Sequence, residues 1–99
     1  MIAYIEVLDA LGDGTRRQIF DMLRTGPKSV NELKAQLPVS QPAVSQHLRV
    51  LREARLVRVT PRGTRRIYRV SPEGIEALRE YVESFWSQVL DAFKESVDE

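Results

Sequence analysis

The sequence predicts a mainly α, α+β fold of about five helices and one two-stranded β-hairpin in 99 residues. Three stretches predict it. The first is Ser40–Ala54 (SQPAVSQHLRVLREA). Ser40 suits a helix N-cap, Pro42 sits where a missing N–H costs nothing, and Val44, Leu48 and Leu51 fall on one stripe. A short helix over 30–37 and a tight joint at Pro38-Val39 precede it, which makes a helix-turn-helix. The second is a pair of strand-like runs, 56–60 and 65–70, joined by Pro61-Arg62-Gly63-Thr64. The third is a long apolar repeat after Pro72. A hairpin directly after a helix-turn-helix is a wing, so the pattern as a whole is a winged helix-turn-helix.

In chain order, Ile2, Ile5, Leu8 and Leu11 recur at helical spacing and predict a first helix, broken by Gly12-Asp13-Gly14. Asp13 is the expected N-cap of a second helix over 15–24, with Ile19, Met22 and Leu23 inward. Thr15, Arg16 and Arg17 lie in its first turn, where cations oppose the helix dipole unless an anion sits nearby. The alternative is a plain surface pair of arginines. Gly26-Pro27 ends this helix. Ser29 and Glu32 then form a capping box for the helix that buries Val30, Leu33 and Leu37. Ser71-Pro72-Glu73 restarts a helix that runs to about Val97.

Ile75, Leu78, Val82, Phe85, Trp86, Val89, Leu90, Phe93 and Val97 form its stripe. Burying each such side chain is worth about 1.5–3 kcal/mol, and a domain this small cannot cover the whole stripe alone. The expectation is a homodimer through the first and last helices, using Ile2, Ile5, Leu8, Leu78, Val82, Phe85, Trp86, Val89 and Phe93. The alternative is packing of the last helix on the first within one chain. The chain divides as one domain over 1–99: dimerisation helices at 1–12 and 72–97, the helix-turn-helix at 29–54 and the wing at 56–70.

Net charge is only +1, but it is unevenly spread. Residues 13–69 hold thirteen Lys/Arg and four Asp/Glu, a net of +9, while 1–12 carry −2 and 70–99 carry −6. A basic middle between acidic ends meets a polyanion, and the ends do something else. The polar face of 41–52 and the arginine-tipped wing make double-stranded DNA the expected partner. The chain has no cysteine and one histidine, so thiolate and multi-histidine metal sites are excluded. No cysteine nucleophile or glycine-rich phosphate loop is present, and no enzyme is expected. No 18-residue apolar run and no leader-like start occur, so a soluble, cytoplasmic protein without membrane or cofactor is expected.

The run from Leu11 to Val70 resembles the winged-helix repressors of the ArsR/SmtB type. The residues that carry the likeness are TRRQIFDML (15–23), SVNEL (29–33), QPAVSQHLRVLREA (41–54), LVRV (56–59) and RGTRRIYRV (62–70). The tail with Phe85-Trp86 and Leu90 is similar to a subgroup without metal sites. The resemblance implies a bacterial repressor that binds an inverted-repeat operator as a dimer, on the nucleoid when DNA-bound. It implies that Ser40, Gln41, Ala43, Val44, Ser45, Gln46 and Arg49 enter the major groove and that Arg62, Arg65 and Arg66 form the wing contact. Thr15, Arg17 and Arg52 would contact phosphate. His47 is expected to be partly buried and structural.

Metal-sensing relatives carry cysteines where this chain has 31–36, and His and Asp ligands on the last helix, where this chain has no histidine. Metal sensing is therefore not expected. Arg55 stands where the family usually has glycine. A left-handed conformation there costs a non-glycine residue roughly 1 kcal/mol, so Arg55 either bears that strain or ends the helix differently. Gln46→Ala is expected to relax sequence preference and Arg65→Ala to weaken all sequences alike. A competing reading is a winged helix that recruits a protein partner through its last helix. A small-molecule effector near Tyr81, Phe85 and Trp86 rests on aromatic composition alone, for which core packing is the better account.

Overall fold

The computed structural model describes residues 4–98; the expected contact residue Ile2 lies outside them. Helix α1 is Tyr4–Leu11 and α2 is Gly14–Arg24. Strand β1 (Lys28–Ser29) leads into α3 (Val30–Lys34), and α4 is Gln41–Glu53. Strands β2 (Val57–Arg62) and β3 (Arg65–Val70) precede α5 (Pro72–Asp98).

The local signals explain the helix starts. Asp13 caps α2 by accepting from the Arg16 N–H at 3.0 Å. The Ser29–Glu32 capping box is made in both directions, at 3.2 Å and 3.0 Å. Ser40 caps α4 by accepting from the Ala43 N–H at 3.3 Å. Helix α3 stops at Lys34 rather than at residue 37, and Leu37 is buried from the turn that follows. Of the described residues of α1's expected stripe, Ile5, Leu8 and Leu11, only Leu11 faces inward. Val7 and Ala10 are in the core, Leu11 packs against it, and Ile5 and Leu8 point to solvent.

The sheet is antiparallel with order β1-β3-β2, so it has one strand more than the expected pair. Two residues are too few to show a period, and β1 exists only because Lys28 and Ser29 meet Tyr68 and Ile67. The turn is also shorter than expected. Pro61 and Arg62 belong to β2, opposite Arg66 and Arg65, which leaves Gly63-Thr64 as a two-residue loop. Gly63 sits at φ 62°, the glycine-first pattern of a type II′ hairpin. Pro61 is tolerated because β2 is an edge strand.

The core joins α1–α4 and the base of the hairpin: Ile19, Leu33, Val44, Leu48, Leu51 and Leu56 are fully enclosed. Helix α4 ends in a paired C-terminal motif. The Leu56 N–H donates to the Leu51 carbonyl at 3.0 Å and the Arg55 N–H to the Arg52 carbonyl at 2.9 Å, with Arg55 at φ 59°. Arg55 therefore adopts the strained left-handed form. Gly74, in the first turn of α5, lies against this motif. Its N–H donates to the Arg55 carbonyl at 2.9 Å, and a Cβ there would stand 2.8 Å from the Ala54 oxygen. Only glycine allows that approach.

The 27-residue α5 is roughly 40 Å long at 1.5 Å per residue. Helix α1 packs on its first half, where Tyr4 stacks on Tyr81 at 3.9 Å and Phe85 meets Tyr81 edge-on at 5.2 Å. The rest projects. A radius of gyration of 17.0 Å, against about 13 Å for a compact domain of this length, records that projection.

Candidate nucleic-acid interface

Helix α4 presents Gln41, Ser45, Gln46, Arg49 and Arg52 to solvent along one side, with its N-cap Ser40 exposed at the start. Val44, expected to enter the groove, is 0% exposed and belongs to the core. Its apolar stripe and its place among the groove-facing residues were incompatible expectations: at helical spacing it turns inward with Leu48 and Leu51. Ala43 is half-buried beside it, and Thr15 is half-buried at the start of α2.

The arginines fall into two groups. Arg52, Arg62, Arg66 and Arg69 have no hydrogen-bond or ion-pair partner among the described residues. The others are held. Arg17 Nη1 donates to the Leu11 carbonyl at 2.7 Å, and Arg16 Nε to the Ala10 carbonyl at 2.7 Å. These two cap the end of α1, whose last carbonyls lack helical partners. Their place in the first turn of α2 is thus explained without an anion. Arg49 Nε donates to Glu53 Oε1 at 3.1 Å one turn on. Arg55 and Arg58 both reach Glu73, at 3.3 Å and 3.4 Å, and fasten α5 to the end of α4 and to β2.

Arg65 differs from the free cation expected of a wing. Its Nη2 donates to Ser29 Oγ at 3.0 Å and approaches Glu32 Oε1 at 3.4 Å. It ties the hairpin to the capping box of α3. The Glu32 carboxyl is held below its ordinary value, chiefly by the Ser29 backbone N–H, then by the Ser29 hydroxyl and by Arg65. Ser29 and Arg65 line an open notch of about 200 Å³ where the wing tip meets the starts of α3 and α4, with Asn31, Gln41 and Arg66 on its walls. Asn31 was not singled out from the sequence. Only the tertiary arrangement places it beside Gln41 and Arg66.

His47 is partly buried, its side chain 21% exposed, between α4 and the joint of α1 and α2. Among the described residues no group of three His, Cys, Asp or Glu side chains is placed to hold a metal ion. Residues 31–36 contain no cysteine and α5 contains no histidine. Among the described residues no helix is long and apolar enough to cross a membrane.

The geometry is thus a cap-fixed helix with a polar outer face, flanked by a hairpin with unpartnered cations. Residues 13–59 match the family described as bacterial regulatory protein, arsR family. HTH-type transcriptional regulator Rv2034 of Mycobacterium tuberculosis is 52% identical over 89 residues, which span 90% of this chain and 83% of that one. The chain belongs to the ArsR family. Solved structures agree. A possible transcriptional regulator for arsenical resistance superposes with a TM-score of 0.73 at 42% identity, covering 90% of this chain and 93% of that one. An ArsR-like transcriptional regulator from Rhodococcus sp. RHA1 gives 0.77 at 29% identity, covering 93% and 90%. As a member of the ArsR family, the protein is a DNA-binding transcriptional regulator and not an enzyme.

Proposed function

We propose that this ArsR-family protein is a metal-independent repressor that binds an inverted-repeat operator as a homodimer. The observation that carries the reading is the separation of two surfaces. The polar face of α4 and the unpartnered wing arginines form one, and the uncovered apolar length of α5 forms the other. A twofold axis through α5 and α1 would set two α4 helices in successive major grooves, about 34 Å apart. Two such protomers occupy promoter DNA and exclude polymerase. The protein acts in the cytoplasm, on the nucleoid.

On this reading Gln41, Ser45 and Gln46 meet base edges, with glutamine able to bond adenine twice. Arg49 reads guanine or holds phosphate. Ser40, Ala43, Thr15, Arg52 and the wing residues Arg62 and Arg66 line the backbone, with Arg65 setting the wing's position and Arg17 kept at the end of α1 by its bond to the Leu11 carbonyl. Selection of genomic fragments by the purified protein at physiological salt tests it. An enriched inverted repeat with half-sites one turn apart supports the reading, and retention that fades uniformly with salt sinks it. On the selected duplex, Gln46→Ala should cost about 1–3 kcal/mol and relax preference at one position. Arg66→Ala should weaken every sequence alike and lower the salt slope by about one. Equal effects of the two changes on preference would contradict these roles.

A further inference from the structure

The buried side-chain nitrogen without a hydrogen-bond partner, among the described residues, is Nδ1 of His47. It lies 4.0 Å from Oδ2 of Asp13, the residue that caps α2. A buried polar atom left unmatched is costly, and that cost asks for an explanation at this position. We propose that Asp13 and His47 form a proton-dependent tie that seats the recognition helix α4 on the start of α2, so that DNA is held more tightly as the imidazole gains its proton. The proposal rests on the DNA-binding role given to α4 above.

The neutral ring places Nδ1 near a carboxylate to no advantage unless that nitrogen carries the proton. The imidazolium donates from both nitrogens, so it always has a donor for Asp13. An ion pair between partly buried groups is stronger than one in water. Histidine is the side chain whose charge changes in the neutral range. The carboxylate is ready for it. The Arg16 backbone N–H, above all, and the charges of Arg16 and His47 hold Asp13 below its ordinary value. The tie exists in the protonated form of the ring and not in the neutral one, and Asp13 supplies the opposing charge for as long as it is ionised.

The other charges on the elements packed against α4 are either paired elsewhere or exposed to solvent. On α2, the Arg16 and Arg17 guanidiniums bond carbonyls of α1, and Arg24 bonds Asp21. On α3, Glu32 serves the capping box, Arg65 reaches it from β3, and Lys34 is exposed. On β2, Arg58 reaches Glu73, and Arg62 stands at the wing tip. On α1, Tyr4 stacks on Tyr81 while Glu6 and Asp9 are exposed. On α4 itself Arg49 holds Glu53, and Arg52 is exposed. Asp13 is the carboxylate within ion-pair reach of His47.

The test is a double-mutant cycle in the full chain with Asp13→Asn and His47→Gln. Asparagine caps a helix as well as aspartate does, so the first variant keeps α2 and removes only the charge. Urea unfolding at about pH 5.5 and about pH 8 reads the coupling. A coupling of roughly threefold in the folding constant at the lower pH, vanishing at the higher, is expected. Coupling that is absent at the lower pH, or equal at both, overturns the tie. The affinity of the selected duplex is then measured over the same range. It should tighten on acidification by more in the parent than in Asp13→Asn, and equal pH responses overturn the positioning role. Should no sequence-selective duplex emerge, the repressor reading fails while the unfolding cycle still decides the tie.

Discussion

Arg55 holds φ 59° at the end of α4, a conformation in which its Cβ crowds the backbone. The strain persists because the two hydrogen bonds of the helix ending, the burial of Leu56 and the approach of Gly74 all require it. Its side chain recovers little, since the exposed ion pair with Glu73 is worth under about 1 kcal/mol. Arg55→Gly should therefore stabilise the fold by about 0.5–1 kcal/mol in urea unfolding, with duplex affinity unchanged. The resemblance posed the question of strain at this residue; the chain alone did not answer it. Gly74 was not legible at all. Nothing in Ser71-Pro72-Glu73-Gly74 tells that a neighbouring carbonyl will stand where a Cβ belongs. Val44 shows the opposite case, where helical spacing was enough and the likeness to groove-reading positions misled.

At the scale of elements, helix starts were the most legible feature, because a cap is chemistry between residues three apart. Asp13, Ser29 and Ser40 all cap as their types predict. Strand β1 was not legible, because it depends on a partner strand distant in sequence, and neither α3's early end nor the two-residue turn is marked by a residue type alone. The caps carry a pH dependence. Glu32 and Asp13 are both held below their ordinary values, first by backbone N–H donors. A carboxylate so held adds stability above its unfolded value, and the gain is lost as pH falls through the folded value. Stability should thus fall on acidification below about pH 4.5. Glu32→Gln keeps an acceptor for the Ser29 N–H but has no proton to take up. Its unfolding midpoint should decline less steeply between about pH 5 and pH 3 than that of the parent. A parallel decline would remove Glu32 from the account.

At the scale of the molecule, the charge map was legible from the order of the charged residues alone. The cationic block coincides with α2–β3, and the acidic blocks fall on α1 and α5. The apolar stripe of α5 was legible as a stripe, while its division between α1 and solvent was not. Tyr81, Phe85 and Leu78 are half-buried within the chain, whereas Trp86 and Phe93 are 53% and 66% exposed. The helix is therefore divided: Leu78, Tyr81 and Phe85 pack within the chain, while Val89, Leu90, Phe93 and Val97 of its second half lie exposed. If a second copy covers that half, Phe93→Glu places a charge in the joint. Sedimentation at micromolar concentration should show a dimer for the parent and a monomer for the variant. The salt slope of duplex binding should drop by about half, since half the phosphates are met. A parent that sediments as a monomer without DNA would leave the stripe to a different protein.

The projecting end of α5 also bears on how long the protein lasts in a cell. If the proposed dimer forms, a newly made chain carries Val89, Phe93 and Val97 in water until it meets a second copy. Exposed apolar turns are what chaperones and proteases recognise, so solitary chains are cleared first. On the proposed dimeric reading, the stock of protein then falls during a pause in translation faster than dilution by growth alone would lower it. Pulse-chase half-life should lengthen as expression is raised, and a half-life independent of expression would show that solitary chains are not singled out.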